Sequence, residues 1–326
     1  IDVALKLNGS ALGFDYGVMT AQESQYASDI GSLFYAQRLL RTGENFSVGY
    51  LGTWTDRPFL QREALVNAVD GNWRVNEHWA LTGQTILSGI DESGSDKDGA
   101  GAWTRIDYTP NAAWRQELEL THFDGQLDFN DMGYQRRASL NEAEWTIENQ
   151  QTVADAASSM RGKVWRLELQ ARSNDSGDRL PDVLVLDHTL QFRDGSEVLL
   201  DFYRESSGYN DLISRGNGLV RLPARNQYYA EYESRRIGRW QFELAGRIFQ
   251  EGLDGYAREA RTELAFFASD TLTADGSLSW IDSDDWLIWE QDTLFARFER
   301  QQLTTEVNLN WFPAPHHEVR VKLQWL

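Results

Sequence analysis

The chain has 326 residues, and its 50 Asp and Glu against 31 Lys and Arg give a net charge of −19 and a pI near 4.7. Such an acidic chain lacks the basic footprint that neutralises phosphates, so nucleic acid is a poor candidate partner. Cysteine is absent, which excludes disulfides, thiolate metal sites and thiol catalysis. No apolar run approaches the roughly 18 residues of a membrane-spanning helix.

Alternation of apolar and polar residues with a period of two dominates the sequence, and helical periodicity is nearly absent. We count about 18 to 20 such segments of roughly ten residues each, the length of a tilted strand that spans a bilayer. The 13 Trp, 12 Tyr and 15 Phe point the same way, because large β-proteins and membrane interfaces use many aromatic side chains. The clearest segments, in chain order, are residues 115–120, 165–172, 240–248, 262–266, 305–311 and 319–325.

The connections between these segments differ in length. Residues with turn chemistry (Gly, Asn, Asp and Ser) predict short turns at 8–10, 42–45, 194–196 and 269–271. Longer, more polar connections are predicted at 21–30, 90–101, 173–181, 206–225 and 282–292. Residues 148–161 break this rhythm and predict a brief helix or a turn. We therefore expect a meander with short turns at one end and long loops at the other.

The composition of the polar face decides between a membrane barrel and a soluble β-sandwich, which also alternates. Here that face repeatedly mixes Arg and Glu, while the other face carries Leu, Val, Phe and Trp. A barrel can span a bilayer with only 41% hydrophobic residues, because lipid contacts every second residue of each strand. We predict an all-β fold, a large antiparallel up-and-down transmembrane β-barrel of about 18 to 20 strands in a single domain, residues 1–326. A soluble sandwich or propeller is the alternative.

The polar face of such a barrel would line its lumen. It carries both signs of charge in comparable number, which favours a salt-bridged wall over a selectivity ring of one sign. The connection 206–225 carries Arg215, Arg221 and Arg225 and is predicted to fold inward and narrow the lumen. The candidate lumen-facing residues are Arg38, Arg105, Asp107, Arg115, Glu117, Arg166, Glu168, Arg172, Asp201, Glu243, Arg247, Arg261, Glu263, Glu306, Arg320 and Lys322.

Tryptophans lie near the ends of the predicted strands, as in the two aromatic girdles of membrane barrels. The candidate girdle residues are Trp54, Trp280 and Trp311 near the long connections, Trp79, Trp114, Trp165 and Trp240 near the short turns, and Trp325 in the last segment.

The strand count also indicates a longer natural chain. With the long connections outside, the first segment would run inward from the outer rim. Bacterial barrels instead start and end on the periplasmic side with an even number of strands. We therefore expect further strands beyond one or both ends of these residues.

Three stretches resemble a family of Gram-negative outer-membrane proteins. Residues 311–325 (WFPAPHHEVRVKLQW) resemble a near-C-terminal signature of that family, residues 131–137 (DMGYQRR) its D-L-G-F-x-x-R turn, and residues 190–196 (LQFRDGS) are a shorter echo. In that family a family-9-like carbohydrate-binding domain precedes a large β-barrel domain of unknown function. The resemblance implies the barrel portion alone, the outer membrane of a Gram-negative bacterium, and carbohydrate as the first solute to test. It implies no catalytic residues.

Candidate catalytic and metal-binding residues are few. No H-E-x-x-H pattern and no G-x-S-x-G motif is present, so we predict no enzymatic activity and no cofactor. His316 and His317 lie in a Pro-flanked connection, which is typical of a surface loop. Asp96 and Asp98 are weak calcium candidates, because the connection 90–101 lacks the leading Asp and the downstream Glu of a calcium loop.

These observations favour an integral outer-membrane β-barrel that acts as a channel or translocation pore for a solute or polymer, with the lipid bilayer as its partner. The first alternative is a non-conducting barrel that anchors or receives a partner protein, which a lumen of paired charges would suit. The second is a soluble β-rich carbohydrate-binding protein, whose exposed Trp and Tyr would stack on sugars. The second alternative would purify without detergent.

Overall fold

The computed structural model describes residues 1–24 and 31–325, and β-strands make up most of them. A 3₁₀ turn at Pro58–Leu60 joins the fourth and fifth strands. The strands are β1 Val3–Ala11, β2 Phe14–Gln22, β3 Leu33–Thr42, β4 Phe46–Arg57, β5 Arg62–Arg74, β6 Trp79–Glu92, β7 Ser95–Asn111, β8 Trp114–Phe123, β9 Leu140–Thr152, β10 Met160–Ser173, β11 Val183–Phe192, β12 Glu197–Glu205, β13 Gly208–Asn210, β14 Val220–Leu222, β15 Arg225–Glu233, β16 Trp240–Glu251, β17 Gly255–Ser269, β18 Leu272–Gln291, β19 Leu294–Ala314 and β20 His317–Trp325.

Within the described residues, eighteen strands form one large antiparallel up-and-down sheet, and β13 pairs with β14 in a separate two-stranded sheet. This confirms the predicted fold class and the predicted number of strands. The chain divides into two compact units. The first unit comprises Ile1–Asn111, Arg115–Trp145 and Gln170–Arg179, and the second comprises Ala112–Trp114, Thr146–Leu169 and Leu180–Leu326.

In the first unit, the strand register separates an apolar face from a polar face. Residues directly opposite each other on antiparallel strands share a face of the sheet. Leu39 pairs with Tyr16 on one side and with Tyr50 on the other, and Tyr50 pairs with Val69. This row belongs to the apolar face. Arg38 precedes Leu39 in β3, so its side chain lies on the opposite, polar face.

The second unit shows the same separation. Leu244 pairs with Tyr232 and Thr262, and Thr262 pairs with Leu278. The side chains of this apolar face are open to the surroundings, since Leu244 is 50% and Leu278 is 42% exposed. A continuous exposed face rich in leucine is unusual in water and suits contact with lipid. Glu243, one residue before Leu244, lies on the polar face.

The predicted turn at residues 8–10 is wrong, because these residues lie inside β1. The hairpin turns instead at Leu12 and Gly13, which both adopt positive φ angles (54° and 77°). Gly9, which suggested a turn in the sequence, instead serves close packing inside β1. A Cβ at this position would lie 2.7 Å from the Tyr16 hydroxyl oxygen, so glycine leaves room for the tyrosine ring that crosses it.

The predicted long connections at 90–101 and 282–292 are also wrong, because both stretches continue the strands. β6 and β7 meet at residues 93–94, and β18 and β19 meet at residues 292–293. β18 and β19 have 20 and 21 residues, about twice what a bilayer requires. A strand that extends into water need not alternate, so its sequence resembles that of a loop.

Asp285, in the extended part of β18, connects this part of the β18–β19 hairpin to its neighbours. Its side chain is only 1% exposed and accepts hydrogen bonds from the backbone N–H groups of Leu253 and Asp254, at 2.7 and 3.1 Å. The guanidinium of Arg297 donates two further bonds, at 2.5 and 2.8 Å. Asp285 therefore ties the β16–β17 turn to the extended β18–β19 hairpin. A buried carboxylate needs such partners to remain charged.

The other predicted connections fall between strands. The turns at 42–45, 194–196 and 269–271 and the loops at 173–181 and 206–225 are confirmed to within a few residues. Residues 153–159, within the irregular stretch 148–161, form a turn. The connection predicted at 21–30 lies largely outside the described residues.

Candidate functional site

The predicted lumen-facing residues of the first unit lie on its polar face and form ion pairs. Arg38 crosses β4 at Gly49 and binds Asp70 on β5 through two bonds, one of them 2.8 Å long. A Cβ at Gly49 would overlap that guanidinium, so a larger residue at this position would require Arg38 to shift. Arg105 lies 3.3 Å from Asp107.

Two further candidates in the first unit, both on β8, extend this network. Arg115 binds Asp107 at 3.3 Å and Glu117 at 3.2 Å. The Arg115 side chain remains 58% exposed. The network is therefore paired but not shielded from its surroundings.

The second unit carries a similar set of charges on its polar face. Arg166 pairs with Glu168 and lies 4.0 Å from Asp187. Because Asp187 pairs in register with Asp201, these side chains share a face. The predicted residue Arg172, near the end of β10, belongs to the first unit.

A register row joins the polar-face charges of β15, β16 and β17. Tyr229 pairs with Arg247, and Arg247 pairs with Glu259, with which it forms an ion pair. Four residues before Arg247 on the same strand, Glu243 lies opposite Glu263. The other predicted lumen-facing residues of these strands also form ion pairs, Arg261 with Glu263 (2.7 Å), Lys322 with Glu306 (3.4 Å) and Arg320 with Glu318 (2.5 Å).

The candidate girdle tryptophans lie on the apolar faces, where several pack against other rings. Trp79 stacks on Tyr108 with ring centroids 4.2 Å apart, and Trp114 meets Trp165 edge-on at 5.4 Å. Their arrangement into girdles remains a prediction. The register that places the tryptophans on these faces covers Trp54, Trp79, Trp240, Trp280, Trp311 and Trp325.

One predicted position among them is wrong. Trp311 was expected beside the long connections with Trp54 and Trp280. It pairs instead with Leu272, the first residue of β18, and therefore lies next to the short turn at residues 270–271. The reason is that Leu294–Ala314 form one continuous strand, β19, which runs from the tip of the β18–β19 hairpin back to the short turn.

Residues 124–139, between β8 and β9, form a loop that lies on the polar face of the first unit. Leu127 is buried against Ala68 and Ile86. Both wall residues belong to the same register row as Arg38. Ala68 and Ile86 are thus apolar side chains on the polar face that pack against this loop.

Two glycines of β7 let loop 124–139 approach the wall closely. A Cβ at Gly99 would clash with the backbone of Leu127, and one at Gly101 would lie 2.6 Å from the Leu127 Cδ2 atom. The loop backbone is also bonded to this strand. Asp124 accepts a 2.6 Å hydrogen bond from the Ala100 N–H and donates its own N–H to the Ala100 carbonyl at 3.0 Å.

Arg62 anchors the loop electrostatically. Its side chain is 12% exposed and its Nη2 atom lies 2.7 Å from both Asp128 and Asp131 of the loop. Its Nη1 atom lies 3.3 Å from Glu92. Arg57 adds a 2.9 Å hydrogen bond to the Asp131 carbonyl. Loop 124–139 is therefore fixed at both its apolar and its charged contacts.

The charge state of Asp128 favours this attachment at neutral pH. Burial acts to raise the pKa of its carboxyl, but hydrogen bonds from Asn130 and the guanidinium of Arg62 hold it below the ordinary value. A lowered pKa means that the carboxylate is charged at neutral pH and that the contact weakens only as the pH falls through that lowered value. The Asp128 N–H also donates to the Ser88 hydroxyl at 3.1 Å.

Loop 124–139 was not predicted from the sequence, in which residues 131–137 indicated only a turn. A signal was present, because alternation stops after residue 123 and resumes at residue 140. What the pattern could not give was the side of the sheet on which the loop lies.

The other long loop, residues 206–225, contains the β13–β14 hairpin and packs within the second unit. The Arg215 guanidinium lies 4.5 Å above the ring of Trp289. A Cβ at Gly218 would lie 3.3 Å from the Thr293 Cγ2 atom. The loop is thus held against the tip of the β18–β19 hairpin. Its narrowing of a lumen remains a prediction.

The calcium candidates Asp96 and Asp98 lie on β7 rather than in a loop, where they pair with Asp91 and Gly89. Within residues 1–24 and 31–325, no group of three or more His, Asp or Glu side chains is arranged to hold a metal ion. In the same part of the chain, no helix has the length and apolar character to cross a membrane.

Comparison with known proteins gives structural matches alone. No family model and no curated protein matches the chain. One match is the ferric citrate transporter FecA in its unliganded form, with 12% identity and a TM-score of 0.54. The match covers 91% of this chain and 56% of the FecA chain. The outer-membrane protein OpdK of Pseudomonas aeruginosa matches over 96% and 93%, with 9% identity and a TM-score of 0.46. The chain has the fold of a Gram-negative outer-membrane β-barrel. At sequence identities this low, the similarity shows the fold alone and does not identify a transported solute.

Proposed function

We propose that this chain is the barrel domain of an outer-membrane channel, a single domain through which a solute or polymer passes. The observation that carries this proposal is the solvent exposure of the charged side chains on the polar face. Arg105, Arg115 and Arg261 keep 37%, 58% and 47% of their side-chain surface exposed although each is paired. Charges in a dry core would be desolvated. Barrels of 16 to 18 strands are wide enough for an aqueous channel.

Loop 124–139 then narrows the channel, and loop 206–225 is a second candidate for this role. Carbohydrate is the first solute class to test, on the family resemblance of residues 311–325 and 131–137. The bilayer is the partner of the apolar faces, and the proposal includes no cofactor, no nucleic acid and no enzymatic activity.

Ion conductance of the detergent-purified protein in a planar bilayer tests the channel. We expect stable conductance steps that candidate oligosaccharides reduce, because a solute inside the lumen displaces the ions that carry the current. Protein that is folded and inserted but gives no steps would contradict the proposal.

A second function, a non-conducting barrel that anchors or receives a partner protein, is favoured by one observation. Arg62 and Arg57 fix loop 124–139 over the polar face through several bonds, as a plug would be fixed. Silence in the bilayer together with a co-purifying protein would support this function.

A further inference from the structure

We propose that a cavity on the polar face of the second unit binds an uncharged, polyhydroxylated solute about the size of a monosaccharide. The cavity has a volume of about 330 Å³, near the lower end for small-molecule sites. This inference rests on the proposed channel function and gives it a solute class. The side chains that define its lining are those of Asp201, Tyr229, Ala245, Arg247, Glu259 and Arg261.

The cavity exists because one small residue stands among long ones. Ala245 pairs in register with Glu231 on β15 and with Arg261 on β17. Arg247 and Glu243 flank it along β16 on the same face. The methyl group of Ala245 therefore forms a floor, and the surrounding side chains rise above it as walls.

The walls are dense in charge, and these charged side chains are engaged with their neighbours. Both arginines and Glu259 form ion pairs, and Asp201 is hydrogen-bonded to Asp187 and Gln227. Arg247 pairs with Glu259, and Arg261 lies 2.7 Å from Glu263. Two guanidiniums and two carboxylates, those of Asp201 and Glu259, balance within the lining itself. A charged ligand would have to compete with these pairs. An uncharged ligand would not.

Hydroxyl groups suit this lining well. Each hydroxyl both donates and accepts, a guanidinium has five N–H donors, and a carboxylate has about four lone-pair sites. A polyhydroxylated solute can therefore use the donors and acceptors that the ion pairs leave free. Tyr229, half-buried in the wall, adds an aromatic surface for the C–H face of a sugar ring.

Ligand-observed NMR by saturation transfer, on the detergent-solubilised full chain, tests the site. The probes are glucose, the anion gluconate and the cation glucosamine, which are of similar size. We expect transfer to glucose above that to either charged analogue, and its loss in Ala245→Leu, which fills the floor of the cavity. Ala265→Leu is the matched control, since Ala265 lies on the same face of β17 outside the cavity and should keep the transfer.

Equal transfer to glucose in Ala245→Leu and the unmodified protein would overturn the site, as would preference for a charged probe. The channel function fails separately. Protein that conducts ions but shows no Ala245-dependent glucose transfer would retain the channel and lose the site. Protein that binds glucose in this way but never conducts would retain the site and lose the channel.

Discussion

Replacing Arg62 with Gln is expected to detach loop 124–139 from the wall and to raise single-channel conductance. The neutral variant leaves the carboxylates of Asp128, Asp131 and Glu92 close together without their shared cation. Removing one partner of a buried ion pair costs about 3 kcal/mol, which corresponds to a roughly 100-fold change in an equilibrium. A loop that leaves the polar face widens the path for ions.

Trypsin gives a second measurement of the same event, because Arg136 and Arg137 lie within loop 124–139. Their cleavage should be slow in the unmodified protein and fast in Arg62→Gln. The matched control is Arg38→Gln, which breaks the ion pair with Asp70 on the same face but leaves the loop contacts intact. Conductance and cleavage in Arg62→Gln that equal those of Arg38→Gln would show that Arg62 does not hold the loop.

Replacing Gly99 with Val should displace the same loop by steric force rather than by loss of charge. A Cβ at this position meets the backbone of Leu127 and Gln126, and a backbone cannot turn aside as a flexible side chain does. The variant should therefore conduct more and be cleaved faster in the loop, like Arg62→Gln. Bilayer recordings and trypsin digestion measure both effects.

Gly17→Val is the control for this substitution. Gly17 pairs with Arg38 and so lies on the polar face, but no other atom lies within 4 Å of the position that a Cβ would occupy. It adds the same side chain without touching the loop. If Gly99→Val left the loop as resistant to trypsin as Gly17→Val does, the close approach of loop and wall would be refuted.

The faces of the sheet could be predicted from the sequence because a period of two is a local property. Glu243, Arg247 and Arg261 were assigned to a polar face from their neighbours alone, and the register places them there. Strand ends were harder. Asp285 looked like a loop residue because the hydrogen bonds that stabilise its buried carboxylate come from Leu253, Asp254 and Arg297. No local pattern in the sequence connects these residues to Asp285.

Loop 124–139 could not be placed for the same reason. Leu127 is buried by Ala68 and Ile86, and the loop carboxylates bind Arg62, all on strands far away in the chain. Each of these wall residues fits an ordinary strand, so nothing in its own segment marks it as a contact for the loop. The cavity over Ala245 was likewise invisible, since it depends on which residues of β15 and β17 stand opposite that alanine.

A channel of this fold requires that the polar face of the sheet contacts water and that the apolar face contacts lipid. The chain contains no Cys, so single cysteines can be introduced without background labelling. Ser277 and Leu278 are consecutive residues of β18 on opposite faces. In proteoliposomes, a charged thiol reagent that cannot enter lipid should label the Ser277→Cys variant rapidly and spare Leu278→Cys. The reverse pattern, or protection of both variants, would contradict a water-filled channel.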